Sequence, residues 1–166
     1  MVPSRLDRVL EALSTAGVFA SIALLVAVWN RLPERVPTHF GMSGAPDAWG
    51  SRTSLLLFVI APLTIHVGLT VLSRLPWVYN YPVKVSEENV ERLYTLGRRF
   101  MEWLRTEMVW MLVLVGWLTI RVALRQAEGV GLVPVLGPLV AIYGTGTYFV
   151  VAMVRASKKA VAPSGL

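Results

Sequence analysis

One histidine and one aspartate in a polar segment of the chain have the types and spacing for acid–base or metal chemistry. His39 and Asp47 lie eight positions apart, and Gly41 and Gly44 between them allow the backbone to reverse. A carboxylate beside an imidazole can orient the ring, exchange a proton with it, or form half of a metal site. A catalytic zinc site normally needs three protein ligands, so the interpretation in which Asp47 only orients His39 is favoured over the metal half-site and the acid–base pair.

The second histidine lies in a strongly apolar stretch. His66 follows Pro62, which removes one helical hydrogen bond and can bend a helix. If the stretch spans a membrane, an ionisable group inside it is a functional candidate. A neutral histidine hydrogen-bonded to a neighbouring helix fits equally well. Since Thr70 extends the same helical face, we expect His66 to point into a helix bundle.

Four long apolar segments must position these residues. Three runs of 19, 21 and 26 residues contain no Asp, Glu, Lys or Arg, and about 20 helical residues cross a bilayer core. A fourth run of 13 residues reaches that length if Arg105 and Arg121 extend toward the two interfaces; the alternative for this run is a buried helix of a soluble protein. The sequence predicts an all-α integral membrane protein with four transmembrane helices at about residues 12–30, 54–73, 103–124 and 132–154.

The composition excludes the main soluble alternatives. Of the 166 residues, 55% are hydrophobic and 16% are charged, with a mean hydropathy of +0.59, whereas soluble chains have about 25% charged residues. Too few polar residues remain to cover a soluble globular enzyme, and the apolar content excludes a disordered chain. The absence of cysteine excludes disulfides, thiolate catalysis and cysteine-ligated metal centres.

The distribution of Lys and Arg predicts the orientation in the membrane. The two termini and the segment between the second and third spans carry 11 of the 16 basic residues, and the other two connections carry 5. The positive-inside rule then places both termini and residues 74–102 in the cytoplasm and the loop 31–52 outside. Because the basic residues flank spans, the net charge of +6 does not indicate nucleic-acid binding. The first run is too long for a cleaved signal peptide, so we expect a retained anchor within one membrane domain, residues 1–166.

The segment 74–102 contains an amphipathic pattern. Ser86 can cap a helix whose first turn carries Glu87 and Glu88, and apolar residues then recur with a period close to 3.6. This pattern predicts an amphipathic interfacial helix before the third span. A solvated linker helix is the alternative, since the polar face carries charges of both signs.

The loop 31–52 carries an unusual motif. Its prolines and glycines fix the backbone, so we expect it to be ordered and folded over the spans, with Phe40, Met42 and Trp49 covered. The pattern Pro-x-His-Phe, then Gly, then Asp-x-Trp-x-x-Arg, together with Asn-Tyr-Pro-Val-Lys-Val-Ser-Glu-Glu-Asn after the second span, resembles domain-of-unknown-function family 1648, which is allied to SdpI-type immunity proteins. The resemblance implies an integral protein of the bacterial cytoplasmic (inner) membrane. The binding or structural motif residues expected in the loop are Pro37, His39, Phe40, Gly44, Asp47 and Trp49.

Three classes of function remain open. The favoured one is a binding or protection protein that uses its outward loop to engage an extracellular peptide, an amphiphile or another partner, as the resemblance suggests. The second is an accessory structural subunit of a larger membrane protein complex. The third is a metal-dependent membrane enzyme or transporter built on His39, Asp47 and His66. We expect no enzymatic activity and no cofactor, and the expected partners are the lipid bilayer, other membrane subunits or an extracellular peptide.

Overall fold

The chain folds into four long apolar helices, and a β-hairpin at one end of the bundle connects the first helix to the second. A computed structural model describes residues 4–161, with side chains through Lys158; Lys159, which entered the orientation prediction, has its side chain outside this part. All four helices are long and apolar enough to cross a membrane, so the predicted all-α, four-span architecture is confirmed. Their bounds are α1 Arg5–Val28, α2 Leu57–Ser73, α3 Val90–Ala123 and α4 Leu132–Val161.

The third helix is longer than the predicted span. α3 has 34 residues, about 51 Å at 1.5 Å per residue, and it begins at Val90 rather than near residue 103. The predicted amphipathic segment therefore runs directly into the third span as the first part of α3. Its apolar face is covered by protein, because a side chain added at Gly97 would lie 2.8 Å from the Tyr81 hydroxyl and 2.9 Å from the Tyr79 ring. Its placement at a membrane interface stays a prediction.

α3 is the central helix of the bundle. It packs against α1, α2 and α4, whereas α4 makes its extensive helix contacts with α3. Two glycines permit close approach around α3: a Cβ at Gly17 of α1 would lie 2.6 Å from Val109, and a Cβ at Gly116 would lie 3.0 Å from Phe58 of α2. α1 begins at Arg5 because Ser4 and Asp7 form a capping box.

The predicted ordered loop is a two-stranded antiparallel hairpin. Strand β1 spans Arg35–Phe40 and strand β2 spans Pro46–Ser51. Neither strand was expected, because prolines at positions 37 and 46 interrupt any alternating pattern; both are tolerated in a two-strand ribbon, where each strand is an edge. The reversal is formed by Gly44 N donating to Gly41 O at 2.8 Å and Gly41 N donating to Ala45 O at 2.9 Å.

The hairpin lies against the helices and not away from them. Val36 of β1 is completely buried in a cluster with Leu25 of α1, Leu55 before α2 and Ile120 of α3. We call this end of the bundle the hairpin end, and the opposite end, with residue 4 and residues 74–89, the terminal end. The expectation that the loop is folded over the spans is therefore confirmed.

Candidate ligand-binding site

His39 and Asp47 form a pair on the hairpin. His39 Nδ1 lies 2.6 Å from Asp47 Oδ1, with side chains that are 69% and 52% exposed. The two residues face each other because His39 of β1 pairs with Ala48 of β2, which places Asp47 beside it. The proximity expected from the glycine reversal is confirmed. Since Asp47 accepts at Nδ1, Nε2 is the imidazole atom left for another partner.

An apolar cavity of about 590 Å³ lies beneath the hairpin. Phe58 of α2 and Leu118 of α3 form two of its walls, and Val130 with Val135 closes it from the α3–α4 connection and the start of α4. From the hairpin, Phe40 lines the cavity, and the exposed His39 lines it at the rim. The volume is in the range of small-molecule sites, and the lining fits a ligand with an apolar body and a polar group near His39.

The hairpin is fixed to the bundle through Gly44. Val130 N donates to Gly44 O at 2.9 Å, which ties the turn to the α3–α4 connection. Gly44 has a φ of +78°, and a Cβ there would overlap the Val130 carbonyl oxygen. On the other side of this contact, a Cβ at Gly129 would overlap the Gly44 carbonyl oxygen. Because neither glycine has a side chain, the backbone of the turn and the backbone of the α3–α4 connection can approach closely, and this contact bounds the cavity.

The apolar residues of the hairpin differ in how far they are exposed. Trp49 is 46% exposed and Met42 is fully exposed, so the expectation that the apolar loop residues would all be covered is wrong for these two. Met42 lies in the turn of the hairpin, where its side chain stays exposed although the residue borders the cavity together with Phe40. Four motif residues line the cavity, namely Pro37, His39, Phe40 and Gly44.

His66 does not belong to this site. It lies nine residues after the first residue of α2, about 13 Å along the helix from the hairpin end. Its Nδ1 atom is buried without a hydrogen-bond partner among the described residues. The burial of this atom favours a ring directed toward the bundle, but the hydrogen bond to a neighbouring helix that the sequence allowed is not formed at Nδ1.

The structure corrects the prediction for Arg105. Instead of extending to an interface, its side chain is only 2% exposed and donates from a terminal guanidinium nitrogen to Thr70 Oγ1 at 2.6 Å. Thr70 Oγ1 in turn donates to the His66 carbonyl oxygen at 2.6 Å. Arg105 lies on the face of α3 that meets α2, so the nearest polar group is a helix neighbour and not water.

The far wall of the cavity was not predicted. Val115, Leu118 and Val135 are apolar residues within apolar spans, and no pattern separates them from residues that face lipid. The one available signal was the sequence Gly129-Val130-Gly131, whose glycines allow the α3–α4 connection to approach the hairpin closely. Among residues 4–161, no group of three His, Asp or Glu side chains could hold a metal ion, so His39 and Asp47 are not joined by a third such ligand.

Four membrane-length helices, with α3 packed among the other three, define a multi-pass helical membrane protein. The family described as Domain of unknown function (DUF1648) matches residues 16–65, which include the hairpin with His39 and Asp47. An uncharacterized protein of Archaeoglobus fulgidus is 35% identical over 162 residues, covering 85% of this chain and 84% of that protein. The chain therefore belongs to the DUF1648 family. No solved structure matches it.

Proposed function

We propose that this protein is a binding protein, not an enzyme, and that it takes the apolar part of an amphiphilic ligand into the cavity beneath the hairpin. The observation that carries the proposal is the cavity of about 590 Å³, whose lining is apolar and whose rim holds His39. An apolar chain gains free energy by leaving water for such a lining. Near the rim, the His39 Nε2 atom is available for a polar group of the ligand, because Nδ1 is held by Asp47.

The hairpin offers a second contact to a larger ligand. Met42 and Trp49 are exposed apolar side chains on it, and aromatic and methionine side chains are common anchors in peptide recognition. An amphiphilic peptide fits this arrangement, with one apolar side chain in the cavity and its backbone along the hairpin.

The proposed location follows the basic residues. Without the buried Arg105, 10 of the remaining 15 Lys and Arg lie at the terminal end and its flanking segments, so we place both termini in the cytoplasm and the hairpin outside. A cavity beneath an outward-facing hairpin can sequester an amphiphile before it damages the bilayer, which agrees with the resemblance to SdpI-type immunity proteins. We therefore favour a protective role at a cytoplasmic membrane.

Photo-crosslinking tests the proposal. The protein in lipid nanodiscs is illuminated with a diazirine-bearing long-chain fatty acid, and the modified peptides are identified by mass spectrometry. Labelling is expected within the segments 37–44 and 130–135, which supply the lining of the cavity from the hairpin and from the start of α4. Val135→Trp places a bulky ring in the cavity and should remove this labelling, while Val140→Trp, at a residue of α4 that is 70% exposed and outside the cavity lining, should preserve it. Equal labelling in the two variants contradicts the proposal.

A second candidate, an accessory subunit of a membrane complex, is favoured by one feature of α4. The small residues Gly137 and Ala141 lie on exposed positions of this helix, and a Cβ added at Gly137 meets no atom within 4 Å. Such residues permit close packing of a foreign helix. Purification in a mild detergent distinguishes the candidates: a stoichiometric protein partner supports the subunit, and a chain that purifies alone while binding the fatty acid supports the binding protein.

A further inference from the structure

A second cavity lies at the terminal end, between the start of α1, the first half of α3 and α4. It has a volume of about 510 Å³ and is open to the surroundings of the bundle. Its wall on α3 carries Arg99 and Trp103, its wall on α4 carries Gly144 and Tyr148, and Leu6 of α1 closes one end. We call it the terminal groove. It is separate from the cavity beneath the hairpin and shares no lining residue with it.

We propose that the terminal groove binds an anionic phospholipid, with the phosphate group of the lipid at Arg99 and an acyl chain along Trp103 and Tyr148. This inference does not depend on the proposed ligand of the hairpin cavity. It follows from the depth of the groove, from the free charge of Arg99 and from the apolar surface beside it.

Measured along the axis of α3, the groove lies at the depth of the lipid headgroups. Arg99 lies 24 residues before Ala123, the last residue of α3, and this separation is about 36 Å along the helix axis. Trp103 is one turn nearer, at about 30 Å. Since the hydrocarbon core is about 30 Å thick, a helix with its C-terminal end at one interface places Trp103 at the other interface and Arg99 among the headgroups.

Arg99 is available to an anion. Its side chain is exposed, and within residues 4–158 no carboxylate oxygen lies within 4 Å of its guanidinium group. Asp7 is an acidic group that acts on Arg99, but no ion pair joins the two side chains, and Asp7 Oδ2 accepts from Ser4 N at 2.7 Å in the capping box of α1. A guanidinium group pairs with phosphate oxygens through two parallel hydrogen bonds.

The rest of the groove suits a lipid acyl chain and not a second charged group. Tyr148 is 67% exposed and Trp103 is 37% exposed, so both rings present apolar surface to a bound lipid. Thr145 also lines the groove, but its hydroxyl is used in a 2.6 Å hydrogen bond to Glu107 Oε1. The groove therefore combines one unpaired cation with an apolar floor, which is the complement of an anionic lipid.

Lipid selectivity measured by electron paramagnetic resonance tests this proposal. The full chain is reconstituted into phosphatidylcholine vesicles with spin-labelled phosphatidylglycerol or spin-labelled phosphatidylcholine, and the immobilised fraction of each lipid is measured. We expect Arg99→Gln to lower the preference for phosphatidylglycerol about fivefold, the effect of one basic residue near an anionic lipid. Arg92→Gln, an exposed arginine two turns earlier on α3 and outside the groove, should leave the preference unchanged.

A pair of α4 variants tests the apolar part of the site. An added Cβ meets no atom within 4 Å at Gly144 or at Gly137, so both positions accept a larger side chain. Gly144→Leu enters the groove and should reduce the selectivity as Arg99→Gln does, whereas Gly137→Leu lies outside the groove and should not. Equal selectivity in all four variants overturns the proposal. Displacement of the labelled lipid by soluble glycerol phosphate also overturns it, because the site would then recognise a free phosphate ester and not a lipid.

Discussion

Gly44 fixes the hairpin to the bundle, and replacing it by alanine should loosen this attachment. Its φ of +78° lies in the left-handed region, where alanine costs about 1–2 kcal/mol. The new Cβ would overlap the Val130 carbonyl oxygen, so the turn must move. The 2.9 Å hydrogen bond from Val130 N to Gly44 O would then be lost, at a further cost of about 0.5–1.5 kcal/mol. We therefore expect the docked hairpin to be destabilised by about 2–3 kcal/mol.

Amide hydrogen exchange at Val130 in detergent micelles measures this destabilisation directly. A loss of about 2 kcal/mol corresponds to exchange that is roughly 30-fold faster at a site that opens locally. Gly137→Ala is the matched control, since its added Cβ meets no atom within 4 Å and Val130 exchange should stay at the native rate. If Gly44→Ala leaves Val130 as protected as in the native protein, the argument that this glycine fixes the hairpin is refuted.

Three further predictions concern the hairpin pair, the aromatic segment and the orientation. Neutral His39 should carry its proton on Nδ1, facing Asp47 at 2.6 Å; nitrogen NMR of the ring should show this tautomer in the native protein and its loss in Asp47→Ala. Burial raises the pKa of the Tyr79 phenol from 10 to about 12, so its stabilising contribution is complete below pH 10 and is lost as the pH rises through 12; an absorbance titration that shows all tyrosines ionising near pH 10 contradicts this. In the cysteine-free chain, Ser43→Cys should react with an impermeant thiol reagent on intact cells and Glu87→Cys should not; the reverse pattern overturns the proposed orientation.

The helical architecture could be predicted from the sequence because the length and charge of a segment largely decide whether it can cross a bilayer as a helix. Uncharged runs of 19 to 26 residues are long enough to cross the hydrocarbon core as helices, which pair their own backbone polar groups there. The close approach of His39 and Asp47 was also predictable, since Gly41 and Gly44 allow a reversal between them. In both cases the determining information is local in the chain.

Features that depend on how helices face one another could not be predicted in this way. Arg105 was expected at an interface, but the rotation of α3 turns it toward Thr70. Whether a long side chain turns inward depends on which neighbour lies beside it, and one sequence does not specify the neighbour. The cavity beneath the hairpin is a more extreme case, because it is a volume that four separate segments leave unfilled.

The position of α4 explains why both proposed sites lie beside it. This helix makes its extensive contacts with α3, so its two flanks are not filled by neighbouring helices and a cavity lies along each flank. In a bilayer, lipid chains fill any open apolar cleft, so a cleft becomes selective only through an added feature. At the hairpin end that feature is a cover, since the turn held by Gly44 restricts the shape of what can enter. At the terminal end the feature is the charge of Arg99, which acts on the headgroup and leaves the chain unspecified. We therefore expect the first proposed site to select mainly by shape and the second mainly by charge, although both lie beside the same loosely surrounded helix.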